Sequence, residues 1–116
     1  MAAKALADLN LSHKLRAALR AIRDRVSTQF DIDRVILFGS VAWGQPDEES
    51  DVDLLFVLKD KVDLETEDCI SREVFEINLE YGTNLSELIV DRQSWDFGGA
   101  SAMPIHDEIE KRGVRV

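Results

Sequence analysis

Phe38 to Val57 reads FGSVAWGQPDEESDVDLLFV, a stretch that spans the end of one apolar run, an acidic connection and the whole of the next run. RVILFGS is β-branched and aromatic and ends in a glycine and a serine, and DVDLLFVL is a second such run, so both read as strands. Between them VAWGQPDEES carries Gly44, Pro46 and the acidic run Asp47-Glu48-Glu49; its first part suits a helical turn and the rest a loop. Residues two apart in a strand share a face, so Asp51 and Asp53 project side by side while Val52, Leu54 and Phe56 turn toward the core.

Two carboxylates held that close repel unless something positive lies between them. Mg²⁺ suits the place, because it takes one or two carboxylates together with water and phosphate oxygens. Gly39 at a strand end lets the backbone approach a phosphate, the N–H groups of a following turn form an anion nest, and the Ser40 hydroxyl adds a donor. The ten residues between Ser40 and Asp51 bring the second strand back beside the first, so metal site and phosphate nest meet. Taken singly, a Gly-Ser is usually a turn and an Asp-x-Asp a solvated strand edge. Together at this spacing they arise by chance in roughly one chain in a thousand of this length.

Outward from this stretch the pattern is helical on either side. From about Leu9 to Phe30, Leu11, Leu15, Ala18, Leu19, Ile22 and Val26 recur at three- and four-residue intervals, which predicts an amphipathic helix with Ser12 as an available N-cap. Ile70, Val74, Ile77 and Tyr81 predict a second helix over about Leu64 to Tyr81, closed by Gly82. NLSELIV reads as a third strand, DRQSWDFGGASAM as irregular, and PIHDEIEKRG as a short terminal helix with Pro104 near its start. The order is α-β-β-α-β-α: an α/β fold with a small mixed sheet of at least three strands, helices on one face and the other face open for a site.

Residues 1–116 read as a single domain, since no linker or composition shift divides them. No apolar run approaches the roughly 20 residues that span a bilayer, and the N-terminus lacks a signal-peptide centre, so a cytoplasmic protein without membrane attachment is expected. Fourteen basic residues against 23 acidic ones give a net charge of −9. A chain so acidic would be repelled by a phosphodiester backbone, which argues against direct nucleic-acid binding and leaves a small anionic ligand carried with a cation, or a basic protein.

Gly39-Ser40, ten residues, then Asp51-x-Asp53 resembles the signature of the nucleotidyltransferase superfamily related to DNA polymerase β, and the short chain is similar to its minimal branch. The resemblance covers the element order over most of the chain. It implies the nucleotidyltransferase fold, ATP as substrate, Mg²⁺ as cofactor, triphosphate binding by Gly39 and Ser40, and metal binding by Asp51 and Asp53. Standalone minimal members are commonly antitoxins paired with a helical HEPN ribonuclease toxin, to whose tyrosine active ones transfer AMP. The resemblance therefore implies a HEPN-type toxin as partner in a hetero-oligomer, with self-association as a further option. A binding-only antitoxin and a small-molecule nucleotidyltransferase are the alternatives.

Active members of the superfamily place a third, catalytic carboxylate on the third strand. NLSELIV offers Glu87, with Ser86 as the rival occupant, and strand alternation alone leaves the choice open. Other residues read more plainly: Cys69 as a half-buried hydrophobe, Tyr81 as core, His13 and His106 as too far apart for a zinc pair, with His106 on a solvated helix face. Trp43 suits either packing or a platform for a base. Apolar surplus on the first helix could serve an interface.

Overall fold

A computed structural model describes residues 5–43 and 51–116 of the chain. Ser12 starts the first helix by accepting a hydrogen bond from the Leu15 N–H at 3.1 Å, so the helix α1 runs His13–Gln29 and opens after the apolar pattern does. The strands that follow are β1 (Ile32–Phe38) and β2 (Val52–Leu58). Asp63 caps α2 (Leu64–Tyr81) through the Thr66 N–H, and Gly82 closes it in the left-handed conformation at φ 65°. After β3 (Leu85–Asp91) come α3 (Arg92–Asp96), a 3-10 turn at Gly99–Ala102, α4 (Ile105–Arg112) and β4 (Val114–Arg115).

The sheet is mixed, with strand order β3-β2-β1-β4. β1 pairs antiparallel with β2 and with β4, and β2 pairs parallel with β3. α1 and α2 cover one face, where Leu19, Ile22, Val26, Ile70 and Ile77 bury Leu37, Leu54 and Phe56. The mixed sheet and the order of α1, β1, β2, α2, β3 and the terminal helix match the reading of the sequence; DRQSWDFGGASAM, read as irregular, instead holds α3, capped by Asp91 through the Ser94 N–H, and the 3-10 turn.

The second face carries more cover than that reading gave it. Ile36, Leu55 and Val57 are buried there against Trp95, Ala100 and Ile109, so α3, the 3-10 turn and α4 close most of it. Burial of β2 on both faces explains its unbroken apolar run Leu54–Leu58, where a half-buried strand would alternate. Cover falls away at the N-terminal end of β2, where Asp53 is half-buried and Ser86 exposed.

A charged cluster fastens this layer. Arg34, whose side chain is only 14% exposed, pairs with Asp33 at 2.8 Å, Asp96 at 2.9 Å and Glu110 at 3.4 Å, tying β1 to α3 and α4. The Trp95 indole donates to Glu110, and His106 Nε2 donates to the Trp95 carbonyl at 2.8 Å with the two rings 4.3 Å apart. His106 is thus a packing residue with a satisfied ring nitrogen, which corrects its assignment to a solvated face. The aromatic neighbour eleven residues upstream decides its environment. Cys69 is half-buried and Tyr81 packs against the main core, as expected. Among the described residues no helix is long and apolar enough to cross a membrane.

Candidate active site

Gly39 leaves β1 at φ 82°, a conformation that favours glycine. Its Cα lies against the Asp53 side chain so closely that a Cβ would overlap Asp53 Oδ2. Both features demand glycine, and the second does so because Asp53 stands opposite Phe38 in the β1–β2 ladder. Beyond Gly39 the chain makes a single helical turn in which the Trp43 N–H donates to the Gly39 carbonyl at 3.0 Å. Ser40 is the first residue of that turn and is half-buried. The first N–H groups of such a turn have no partner within it, which is the property a phosphate nest uses.

Asp51 precedes β2 and is exposed, and Asp53 lies within it. Burial, and after it the neighbouring Asp51 carboxylate, holds the Asp53 carboxyl above the usual aspartate range. Ionising both residues therefore costs free energy that a cation between them would remove. The donor set is two hard carboxylate oxygens, and no cluster of three or more histidine, cysteine, aspartate or glutamate side chains occurs among the described residues. That set fits Mg²⁺, whose remaining positions go to water and phosphate.

Asn84 joins the site without any motif in the sequence to mark it. Its side chain donates to Asp51 Oδ1, and its carbonyl accepts from the Val52 N–H at 2.9 Å, so one residue orients the first carboxylate and fixes the start of β2. An asparagine between the α2 stop and the third strand was the available signal. The Asp47-Glu48-Glu49 run, with Gly44 and Pro46, lies outside the described residues.

The third strand resolves the choice between Ser86 and Glu87. The parallel register sets Ser86 beside Asp53 and Glu87 beside Leu54. Paired residues in adjacent strands share a face. Ser86 therefore shares the Asp53 face, while Glu87 shares the face of Leu54, Leu85 and Ile89 that α1 and α2 cover. Glu87 is not brought to the aspartates, contrary to its candidacy as a catalytic residue. Its charge is accommodated there by half-exposure on the sheet's outer strand.

Trp43 ends the turn half-buried against the main core, and its ring carries the Arg112 guanidinium at 4.6 Å from the centroid. Core packing and the guanidinium over the ring favour the packing role for Trp43 over a platform for a base.

Comparison with known proteins places the chain in a family. Residues 20–95 match the family described as polymerase beta nucleotidyltransferase. A Methanocaldococcus jannaschii protein named "Putative protein adenylyltransferase MJ0141" is 36% identical over 85 residues, 73% of this chain and 79% of that protein. A solved structure described as a "putative minimal nucleotidyltransferase" superposes with a TM-score of 0.63 at 22% identity, covering 91% of this chain and 100% of the other, which is a likeness of fold. The strand-turn-strand unit built on Gly39, Ser40, Asp51 and Asp53 lies within the matched residues, and the chain belongs to the polymerase β nucleotidyltransferase family.

Proposed function

We propose that the protein is a Mg²⁺-dependent protein adenylyltransferase, acting as the antitoxin of a HEPN-type toxin by transferring AMP from ATP to a toxin tyrosine. The observation that supports the reading is the seating of Asp53 on Gly39, a carboxylate that would hold the metal against the turn that would cradle the triphosphate. The 36% identity to a protein named as an adenylyltransferase supports a protein acceptor.

In this reading Gly39 and the turn after it orient the polyphosphate, the Ser40 hydroxyl donates to it, and Asp51 and Asp53 hold the cation. When bound, Mg²⁺ neutralises charge on the departing diphosphate. The tyrosine oxygen forms a bond to the α-phosphorus as the bond from that phosphorus to the diphosphate oxygen breaks. Ser86, on the Asp53 face, is no base. A phenol with a pKa of about 10 gives its proton to water far more readily than a sugar hydroxyl would, so this site suits a tyrosine acceptor better than a small alcohol.

Ser86 also favours a second reading. Without a carboxylate on that face of β3, the protein would hold nucleotide and partner without turnover and neutralise the toxin by binding. Incubation with labelled ATP, Mg²⁺ and the product of the adjacent gene separates the two. Label on that product, absent with Asp53→Asn, supports transfer; a tight complex without label supports binding alone.

A further inference from the structure

The Gly39 turn has a second neighbour on the side away from the aspartates. β4 runs antiparallel to β1 with Ile36 opposite Arg115 and Leu37 opposite Val114, so α4, which ends at Arg112, meets the sheet beside the end of β1 from which the Gly39 turn departs. On the other side of β1, Phe38 is opposite Asp53. Asp53 and Arg112 thus reach the same turn from the β2 and β4 sides of β1, the first against Gly39 and the second against Trp43. Gly113 fixes the approach, because a Cβ there would overlap Ile36 Cγ2 and the Ile109 carbonyl, so α4 ends hard against β1.

The Arg112 guanidinium lies over the ring of Trp43, the last residue of the turn, 4.6 Å from the centroid. Its one ion pair among the described residues is Glu108, a turn back on α4 at 3.5 Å, with both side chains about half exposed at 53% and 52%. Exposed pairs of this kind exchange readily, and a guanidinium has five donors, so capacity remains for an anion. Arg34 is engaged with Asp33, Asp96 and Glu110, and Arg92 with Asp33. A polyphosphate brought to a chain of net charge −9, beside Asp51 and Asp53, needs a protein cation that is still available.

We propose that Arg112, seated on Trp43, is a phosphate-binding residue of this site and takes the nucleotide's polyphosphate on the side of the Gly39 turn away from the aspartates. Trp43 is its positioning residue: the ring holds the guanidinium beside the turn that carries Ser40. The proposal rests on the nucleotidyl-transfer reading and adds a specificity for phosphate that this reading leaves to backbone and metal.

Calorimetric titration of the full chain and of the Arg112→Gln and Arg112→Lys variants with MgATP and magnesium pyrophosphate tests it, with adenosine measured by competition against MgATP. Arg112→Gln is expected to weaken MgATP and pyrophosphate about tenfold, or about 1.4 kcal/mol, and to leave adenosine unchanged. Arg112→Lys is expected to keep most of the affinity for pyrophosphate, because a point charge still serves phosphate. MgATP binding to Arg112→Gln should also fall less steeply with added salt. Equal pyrophosphate affinity in the full chain and Arg112→Gln overturns the proposal while leaving nucleotidyl transfer intact. A parallel loss of adenosine affinity also overturns it, since Arg112 would then only brace the turn. A full chain that binds neither MgATP nor pyrophosphate overturns the transfer reading and this proposal together.

Discussion

Asp53 Oδ2 rests against the Cα of Gly39, leaving no room for a Cβ between strand end and carboxylate. Gly39→Ala meets two penalties: a left-handed φ of 82° and an overlap that displaces the Asp53 carboxylate. The expected loss of stability is about 2 kcal/mol, from conformational strain and overpacking together. Chemical denaturation measures it. Nucleotide binding should fall further than stability does, because the displaced group is Asp53 itself.

Asp53→Asn should separate stability from function. Burial and the Asp51 charge disfavour ionised Asp53 in the folded state, so a neutral isostere removes a cost. Stability at neutral pH is expected to stay the same or rise by up to about 1 kcal/mol, while adenylyl transfer falls by more than about 10²-fold. Added Mg²⁺ should raise the melting temperature of the unaltered chain and not that of the variant.

Ser86→Asp and Glu87→Gln make an opposed pair. The first places a carboxylate on the Asp53 face, where a general base is worth about 10²-fold or more, and should raise the rate of transfer while lowering stability in the absence of Mg²⁺. The second changes a side chain on the helix-covered face and should leave transfer within about twofold, well below the effect of losing a general base. Single-turnover rates with each variant check both.

The layer formed by α3 and α4 should be acid-labile. The hydrogen bond from Arg34, acting against partial desolvation and supported by the Arg34 charge and by Arg92, holds Asp33 below its ordinary value of 3.8. For Arg34, desolvation is the largest influence and works against the charge, yet Asp33 and Asp96 together raise its pKa. A carboxyl with a lowered folded pKa stabilises the fold fully above its unfolded value, and that contribution is lost as pH falls through the folded value. The loss is therefore expected below about pH 3.8 and not near neutrality. Arg34→Met should cost about 2 kcal/mol at pH 7 and flatten this acid limb of the stability curve.

Most of this arrangement was legible because its signals are local. Gly39, Ser40, Asp51 and Asp53 lie within one strand-turn-strand unit, and both long helices show their apolar stripes, with Ser12 and Gly82 marking ends that the structure keeps. What escaped depends on contacts distant in sequence. The side that Glu87 faces is set by parallel pairing with Leu54, thirty-three positions away, and NLSELIV read alone permits either face. α3 spans five residues, too few for periodicity to show, and β4 is a two-residue edge that exists because Gly113 lets the chain turn against β1. The cover on the second face did leave a trace, the unbroken Leu54–Leu58 run, whose meaning is burial on both sides. Trp95 then accounts for His106, which an isolated helix pattern places in solvent.

The central claim is that the Gly39 turn and the two aspartates form one site for a metal and a polyphosphate. Anomalous diffraction from crystals grown with Mn²⁺ and a non-hydrolysable ATP analogue tests it most directly. The expected result is a metal peak about 2.1 Å from carboxylate oxygens of both Asp51 and Asp53, with phosphate density against the turn after Gly39. A metal bound elsewhere, or phosphates lying away from that turn, would contradict it.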